Sequence, residues 1–241
     1  QPNSGKSTLF NGLTGSRQHV GNWPGKTVER KEGEFLRNGR TYQVVDLPGA
    51  YGLAANSPEE QITADFVTSG AADVTLVMAD ASQLERSLYM LTDFACTAHD
   101  APCVLVLNLM DVAEQQGKRI DAKKIEQRLG VPVVPFVAAE TSNYDALLEA
   151  IDRALREKPL LNTELLNAEI SCRADTIQGR GAAKFAWIEQ IIEGAETAPK
   201  EAHALSRFDR LATASRASKP LAIAMILVGF VLAFIPATPI M

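Results

Sequence analysis

Four short apolar runs, separated by helical patterns, constrain the fold of this chain more than any other feature of its sequence. The runs cover residues 42–45, 74–78, 104–107 and 131–137, and the helical patterns cover residues 82–99, 121–129 and 144–155. Runs this short and this rich in β-branched residues or leucine are typical of buried strands. Strands that alternate with helices predict an α/β fold with a mostly parallel sheet. The first three runs lead into Asp46, Asp80 and Asn108, and such a sheet carries its functional groups at the carboxyl ends of its strands.

The first residues of the chain, QPNSGKST, match the phosphate-loop pattern GxxxxGK[ST] from its second position onward, with Thr8 one residue beyond it. In this pattern the backbone N–H groups of the loop and the N-terminus of the next helix surround the β-phosphate. We expect the Lys6 ammonium to bridge the β- and γ-phosphates and the Ser7 hydroxyl to hold Mg²⁺. Nucleotide contacts are expected from Asn3, Ser4, Gly5, Lys6, Ser7 and Thr8. The chain begins on this loop without a methionine, and we interpret it as a fragment trimmed at both ends, with the first strand of its domain missing.

A DxxG element, Asp46-Leu-Pro-Gly49, follows the first apolar run. We expect the Asp46 carboxylate to hold Mg²⁺ through water, and the Gly49 N–H to approach the γ-phosphate. The alternative is a strand-ending turn with an aspartate as an ordinary cap. Ala50 stands next, where Ras-like enzymes have a glutamine that orients the attacking water. A methyl group positions no water, so we expect hydrolysis to be slow unaided.

An NxxD element, Asn108-Leu-Met-Asp111, follows the third run and is the pattern that recognises guanine. The Asp111 carboxylate is expected to accept from N1–H and the exocyclic amine, a donor pair that adenine lacks, while Asn108 contacts the other edge of the ring. Leu109 stands where this element most often has a lysine. The backbone of Ala138 and Ala139, after the fourth run, is expected to contact the guanine oxygen.

Residues 21–29, GNWPGKTVE, have the glycines and proline of an irregular mobile loop. We expect Thr27 to bind Mg²⁺ and the γ-phosphate as the element that becomes ordered with GTP. The alternative is a solvated turn residue. The predicted catalytic residues are therefore Lys6, Thr27 and Gly49, and those predicted at Mg²⁺ are Ser7, Thr27 and Asp46.

The last third of the chain differs in character from the first part. Residues 159–213 are polar, alanine-rich and compatible with helix, which predicts a small helical domain, or else a helical linker. Residues 220–241 contain no charged side chain, and about 20 apolar residues span a membrane. We interpret them as the start of a transmembrane helix rather than a buried helix or hairpin. Basic residues precede this segment and place the preceding domain in the cytoplasm: Arg207, Arg210, Arg216 and Lys219.

Composition argues against two other classes of function. A net charge of -5 gives no electrostatic reason to expect nucleic acid as a partner. The three cysteines, Cys96, Cys103 and Cys172, have neither CxxC spacing nor clustered histidines near them. A thiol pair or zinc site is therefore not expected, and a reducing cytoplasmic setting fits better.

Taken together, the motifs resemble those of the ferrous iron transport protein B family. The matching segments are residues 2–11, 20–25, 27–29, 46–51 and 108–111, of which GNWPG followed by TVE is the most specific. The resemblance covers residues 1 to about 155 closely and the rest loosely. It implies a Ras-like P-loop G domain over residues 1–158, then a helical domain over 159–213 that acts as a GDP-dissociation inhibitor, then a membrane region that carries Fe²⁺.

The resemblance also carries expectations about setting and cofactors. Family members are bacterial inner-membrane proteins, so this region is expected on the cytoplasmic side, with GTP or GDP, Mg²⁺ and K⁺ as its ligands. Asn3 matches an asparagine that holds K⁺ in some members; the alternative is a side chain that stabilises the loop. The iron-handling residues are expected beyond Met241, and a homo-oligomer is left open.

Two other readings share the nucleotide motifs. One is a soluble GTPase switch of the ribosome-assembly or tRNA-modification kind, which predicts a basic RNA-binding surface. The other is a GTP sensor that does not hydrolyse GTP. Ala50 is compatible with this interpretation, because it replaces the glutamine that orients water.

Overall fold

The structure, a computed structural model, describes residues 4–15, 18–50, 57–97, 102–138, 140, 143–164, 166 and 177–197. All of these residues belong to one compact unit, residues 1–198. In chain order the elements are α1 (Lys6–Thr14), β1 (Gln18–Asn22), β2 (Glu29–Arg37), β3 (Arg40–Asp46), α2 (Pro58–Thr68), β4 (Thr75–Asp80), a 3₁₀ turn (Ala81–Gln83), α3 (Leu84–Thr97), β5 (Cys103–Asn108), α4 (Met110–Gln115), β6 (Arg119–Ile120), α5 (Ala122–Leu129), β7 (Val133–Pro135), α6 (Asn143–Glu157), α7 (Ile177–Ile192) and β8 (Glu196–Thr197).

A parallel sheet in the order β4-β5-β7 forms the centre of the fold. Thr75 pairs with Cys103 and Asp80 with Asn108, so the carboxyl ends of β4 and β5 lie side by side. The prediction of buried parallel strands is confirmed for these three. Every residue of the middle strand, β5, is buried.

Two apolar layers cover this sheet. On one face the core is formed by side chains of α2, α3, α5 and α7, with Leu88 and Trp187 among the largest. On the other face Leu9 of α1 packs with Leu147 and Ile151 of α6. The alternation of β5 between these layers explains its continuous apolar sequence, because both of its faces are removed from water.

Strands β1, β2 and β3 form a second, antiparallel sheet that the sequence patterns did not predict in full. Of its strands only β3 was expected. Residues 21–22 of the predicted loop lie at the end of β1, and Glu29 begins β2. Six of the nine residues of β2 are charged, so it lacks an apolar run. One strong signal was present: Asn38 and Gly39 join β2 to β3 with φ of 50° and 74°. An Asn-Gly pair with both φ positive is the favoured two-residue hairpin turn.

Side-chain caps mark the starts of helices α2 and α5. The Ser57 side chain accepts a hydrogen bond from Glu60 N at 3.2 Å and starts α2, followed by Pro58. Asp121 caps α5 in the same way through Lys124 N at 3.1 Å. Helices are confirmed at all three predicted places, as α3 with its preceding turn, α5 and α6.

The region after residue 158 contains a helix and a short strand where the structure describes it. Side chains of α7, including Trp187 and Ile191, belong to the same core as α3. Arg128 of α5 donates to the carbonyls of Ile191, at 2.8 Å, and Glu193, at 2.7 Å. The two-residue strand β8, a strand in a region with no strand signal, pairs with β6. The proposed domain boundary at residue 158 stays a prediction.

Across the described ranges, no helix has the length and apolar character needed to cross a membrane. The predicted transmembrane segment, residues 220–241, and the basic residues before it lie outside those ranges. That prediction therefore stays a prediction.

Candidate functional site

Lys6 and Asp46, predicted independently from two motifs, are in contact. Lys6 opens α1, and its ammonium forms an ion pair with the Asp46 carboxylate, which ends β3. The same ammonium donates to the backbone oxygen of Leu47. The Asp46 side chain is mostly removed from solvent, whereas Ser7, the next residue on α1, is exposed. An ammonium, a carboxylate and a hydroxyl of the first helical turn thus come from one corner of the fold.

Gly5 permits the close approach of the loop to the end of the parallel sheet. Its φ of 84° lies in the left-handed region, which favours glycine. A Cβ at this position would lie 2.1 Å from Nδ2 of Asn108, far inside contact distance. No side chain of the described chain caps α1. The first N–H groups of this helix are therefore a suitable place for an anion, since they have no partner within the helix.

Asn108 joins the two loops on which the sequence predictions depend. Its Nδ2 donates to Ser4 O at 2.8 Å, and its Oδ1 accepts from Ala138 N at 3.0 Å. The residue is only 1% exposed. The predicted contact of Asn108 with the ring of a base stays a prediction; what the structure adds is that its amide bonds the phosphate loop to the loop after β7.

Asp111 lies on the first turn of α4 and is exposed. Leu109 reverses the chain between β5 and α4 with a φ of 61°, a left-handed conformation that costs a non-glycine residue about 1–2 kcal/mol. No sequence pattern indicated this conformation, which directly precedes the helix that carries Asp111. Within the described chain Asp111 makes no hydrogen bond or ion pair, so its carboxylate can accept from a ligand.

The backbone of Ala138 is held on both sides. Besides the bond from its N–H to Asn108, its carbonyl accepts from Tyr144 Oη at 3.2 Å. Burial raises the pKa of the Tyr144 hydroxyl, which keeps it protonated as a donor. The ring of Tyr144 packs against Gly12 of α1, where a Cβ would lie 1.9 Å from the hydroxyl oxygen. No sequence motif indicated Tyr144 or Gly12. Ala139 and Asn3, also predicted at the site, lie outside the described residues.

Thr27 lies in an exposed turn between β1 and β2. Two backbone hydrogen bonds close this turn, from Trp23 N to Val28 O at 2.9 Å and from Lys26 N to Trp23 O at 3.0 Å. In the part of the chain that the structure covers, no hydrogen bond links Thr27 to Lys6 or Asp46. The structure therefore places Thr27 at the surface, and its predicted role at Mg²⁺ stays a prediction.

The segment after Asp46 is tied to α2. Thr63 of α2 donates from its hydroxyl to Pro48 O at 3.1 Å. Gly49 is exposed, whereas Ala50 is buried, with 1% of its surface accessible. The residue at the position of the usual water-orienting glutamine thus offers only a buried methyl group.

The combined arrangement suits a ligand with an anionic tail and a donor-bearing ring. The ammonium of Lys6 and the N-terminus of α1 supply positive charge at one end, and the exposed Asp111 carboxylate follows Asn108, the residue that is bonded to that loop. Among the described residues no group of three or more histidines, cysteines or carboxylates is arranged to hold a metal ion.

Comparison with known proteins gives the same picture for the first two thirds of the chain. The family model described as ferrous iron transport protein B matches residues 1–151. The chain is 48% identical to the Fe(2+) transporter FeoB of Salmonella typhimurium over 156 residues, 63% of this chain and 20% of that protein. The Escherichia coli Fe(2+) transporter FeoB is 47% identical over the same shares. The chain thus spans about a fifth of the length of these curated relatives.

Solved structures agree over a larger part of the chain. The cytosolic domain of T. maritima FeoB in its GMPPNP form is similar with a TM-score of 0.71 and 27% identity, covering 81% of this chain and 96% of that one. The cytosolic domain of L. pneumophila FeoB has a TM-score of 0.68 and 30% identity, with 82% and 96% covered. The T. maritima domain is also known in a GDP form, with a TM-score of 0.70 and 28% identity over 81% of this chain and 96% of that one.

Proposed function

The chain belongs to the ferrous iron transport protein B family, and from this premise we propose that it binds GTP and GDP and hydrolyses GTP. The observation that carries the proposal is the pair of links between its motifs. Lys6 of the phosphate loop contacts Asp46 of DxxG, and Asn108 of NxxD bonds to Ser4 of the same loop. Because these motifs lie up to 104 residues apart in the chain, their convergence supports one composite site.

At the phosphate end, Lys6 exchanges partners when a triphosphate binds. Its ammonium leaves the Asp46 carboxylate for the β- and γ-phosphates, whose charge exceeds that of a carboxylate. Asp46 would then be available to hold Mg²⁺ through water, with the Ser7 hydroxyl on the first turn of α1 as the second oxygen donor. Carboxylate and hydroxyl oxygens fit a hard cation, and Mg²⁺ supplies neutralisation of charge between the phosphates when it is bound.

At the base end, Asp111 selects guanine through N1–H and the exocyclic amine, and the loop at Ala138 and Ala139 contacts the guanine oxygen. Support comes from the exposed carboxylate at the start of α4 and from the two hydrogen bonds that hold Ala138. Adenine lacks this donor pair, so it would leave the Asp111 carboxylate without the two hydrogen bonds that guanine offers.

Hydrolysis depends on Thr27 and Gly49 at the γ-phosphate and is slow unaided, since Ala50 offers no polar group to position water. We propose that K⁺, held with the help of Asn3, supplies the positive charge that the site otherwise lacks as negative charge develops between the β- and γ-phosphates. The buried methyl of Ala50 supports this need for an external charge.

In the cell, this activity regulates or drives ferrous iron uptake from the cytoplasmic side of a bacterial inner membrane. Residues 220–241 enter the bilayer, and Fe²⁺ passes through parts of the transporter that this chain does not span. Residues 159–213 form a helical domain that slows GDP release. The name and length of the curated relatives support this setting.

A second candidate function is a GTP sensor that does not turn over. The burial of Ala50 favours it, because no side chain at that position reaches a water molecule. Turnover in potassium against sodium separates the two: stimulation by potassium supports the hydrolysing enzyme, and an absence of turnover in both salts supports the sensor.

Calorimetry on the purified chain with Mg²⁺ tests the common core of both candidates. GDP and GTP are expected to bind, and ATP at least about 100-fold more weakly, since its base leaves the Asp111 acceptor unpaired. Chelation of Mg²⁺ should lower the affinity for GTP more than the affinity for GDP. Absence of heat with both guanine nucleotides would overturn the proposal.

A further inference from the structure

Trp23 is a buried aromatic residue in an otherwise exposed turn. Its accessible fraction is 8%, whereas residues 24–27 of the same turn, including Thr27, are exposed. The ring meets Phe66 of α2 edge to face, with 5.6 Å between centroids. On β2, the guanidinium of Arg30 lies 4.7 Å from the centroid of the Trp23 ring and is paired with Glu32. Such stacking and cation–π contacts add specific attraction to the burial of the ring.

The contacts of Trp23 continue to the DxxG segment. Phe66 and Thr63 lie on the same helix, α2, three residues apart and therefore on one side of it. Thr63 is buried and bonds to Pro48 O, next to Gly49. The turn that carries Thr27 is thus linked through α2 to the residue before Gly49.

The buried position of the Trp23 ring leaves two hydrogen-bond donors without partners in the described part of the chain. Trp23 Nε1 and Arg30 Nε are buried and, among the described residues, have no hydrogen-bond partner. Unpaired buried donors make a packed position less favourable than the same position with its donors bonded. The turn is therefore held less firmly than an ordinary core contact would hold it, so a ligand can still order it further.

We propose that Trp23 is a positioning residue that couples the Thr27 turn to the Gly49 loop through α2, and so sets the preference of the site for a triphosphate over a diphosphate. The inference rests on the proposed function, since Thr27 and Gly49 are assigned there to the γ-phosphate. GDP has no γ-phosphate, so the coupling acts on GTP alone. Ordering either segment on GTP then lowers the entropic cost of ordering the other.

Affinity measurements with Trp23→Ala test the coupling on the full chain. GMPPNP affinity should fall about tenfold, the size of the lost aromatic and cation–π contacts. GDP affinity should change by no more than about twofold. Trp23→Phe, which keeps a ring against Phe66, should recover most of the GMPPNP affinity. Equal changes for both nucleotides, or none, would overturn the inference.

Phe66→Leu provides a second variant in case Trp23→Ala disturbs folding and loses both nucleotides. Phe66→Leu should lower GMPPNP affinity and spare GDP, and an equal loss of both would count against the coupling. The matched control is Phe185→Ala on α7, which removes a ring 5.4 Å from Tyr89 but touches neither segment. It should leave both affinities unchanged. Failure of the unaltered chain to bind GDP contradicts the proposed function itself, a separate outcome.

Fluorescence gives an independent readout because the chain has two tryptophans, Trp23 and Trp187. In Trp187→Phe the emission reports on Trp23 alone. GMPPNP and GDP should give different emission maxima and different accessibility to a soluble quencher, whereas Trp23→Phe should show no such difference. Identical spectra of Trp187→Phe with the two nucleotides would show that Trp23 does not respond to the γ-phosphate, against the inference.

Discussion

Asn108 and Ser4 are bonded to each other across 104 residues of sequence, with 2.8 Å between Nδ2 of the amide and the backbone oxygen. The oxygen of the same amide accepts a hydrogen bond from Ala138 N, so one buried side chain connects the phosphate loop with the loop after β7. Its two polar atoms are both used, and this explains how a residue of a base-recognition motif can lie at 1% exposure. The spacing between the loop at Ser4 and the loop after β7 is therefore set by hydrogen bonds within the protein.

Replacing Asn108 with alanine should lower both stability and nucleotide affinity. Both hydrogen bonds of the buried Asn108 amide, to Ser4 O and from Ala138 N, would be lost, at a cost of roughly 2–4 kcal/mol in the free energy of unfolding. GDP affinity should fall by about tenfold or more, which urea unfolding and calorimetry can measure. Asn143→Ala is the control, since its hydrogen bond to Glu140 is exposed. Equal effects of the two variants would contradict the bridging role.

Gly5→Ala should abolish nucleotide binding. An alanine here would have to adopt a left-handed φ of 84°, and its Cβ would lie 2.1 Å from Nδ2 of Asn108. Gly70→Ala isolates the first effect, because Gly70 has a φ of 70° and open space around it. That control should cost about 1–2 kcal/mol in stability and leave GDP affinity intact. If Gly5→Ala keeps the same GDP affinity as Gly70→Ala, the close approach of Gly5 to Asn108 does not matter for nucleotide binding.

Lys6→Ala should weaken GTP binding about 100-fold, since a hydrogen-bonded charge on the phosphates is lost. It also leaves the Asp46 carboxylate, which is mostly removed from solvent, without its ion-pair partner. Lys123→Ala, at an exposed position of α5, changes the net charge equally and should have no effect. Titration calorimetry with GTP and Mg²⁺ distinguishes them. Normal affinity in Lys6→Ala would mean that the phosphates bind elsewhere.

Asp111→Asn should exchange the preference for GTP with one for XTP, because the amide donates where the carboxylate accepts and xanthine presents an oxygen in place of the amine. A shift of about 100-fold in the ratio of the two affinities is expected. Competition between the nucleotides measures it. Since Asp111 makes no bond within the described chain, stability should be unchanged; an unaltered preference would exclude Asp111 as the reader of the base.

Cys103 should resist alkylation in the folded protein. Burial raises the pKa of its thiol to about 12 and leaves it fully inaccessible. The thiolate is the reactive form, so at pH 8 only about one thiol in 10⁴ is reactive, and the fraction grows as pH rises towards the pKa. Cys96 is exposed and serves as the internal reference, although burial of its thiol raises its pKa as well. Peptide mass spectrometry after iodoacetamide should find Cys96 labelled before Cys103; equal labelling of these two would contradict the core placement of Cys103.

Sequence patterns predicted the parallel sheet well because both faces of its strands are buried. Such strands leave continuous apolar runs, and β4, β5 and β7 all lie within or beside the predicted runs. Strand β2 could not be predicted on the same basis, since it is half-solvated and mostly charged. The Asn38–Gly39 turn was the available signal, and it depends on backbone conformation rather than on hydrophobicity.

The site residues were predicted by type and spacing, but their partners were not. The contact between Lys6 and Asp46 follows from two motifs that meet at one corner. The bonds of Asn108 instead join loops that lie far apart in the chain, and no local pattern indicates them. The left-handed conformation of Leu109, which leucine rarely adopts, had no signal either. Trp23 was included in a motif, yet its packing on Phe66 required the position of α2.

Strand β5 is buried along its whole length, and this affects how substitutions in it act on the protein. Cys103, Leu105 and Leu107 face one apolar layer while Val104 and Val106 face the other, and the strand ends in Asn108. A tightly packed interior passes on a change of volume rather than absorbing it. Conservative substitutions in this strand, well away from the ligand, should therefore lower nucleotide affinity as substitutions in the binding site do. A screen for loss of guanine-nucleotide affinity would recover variants of these core residues as well as variants of the motifs.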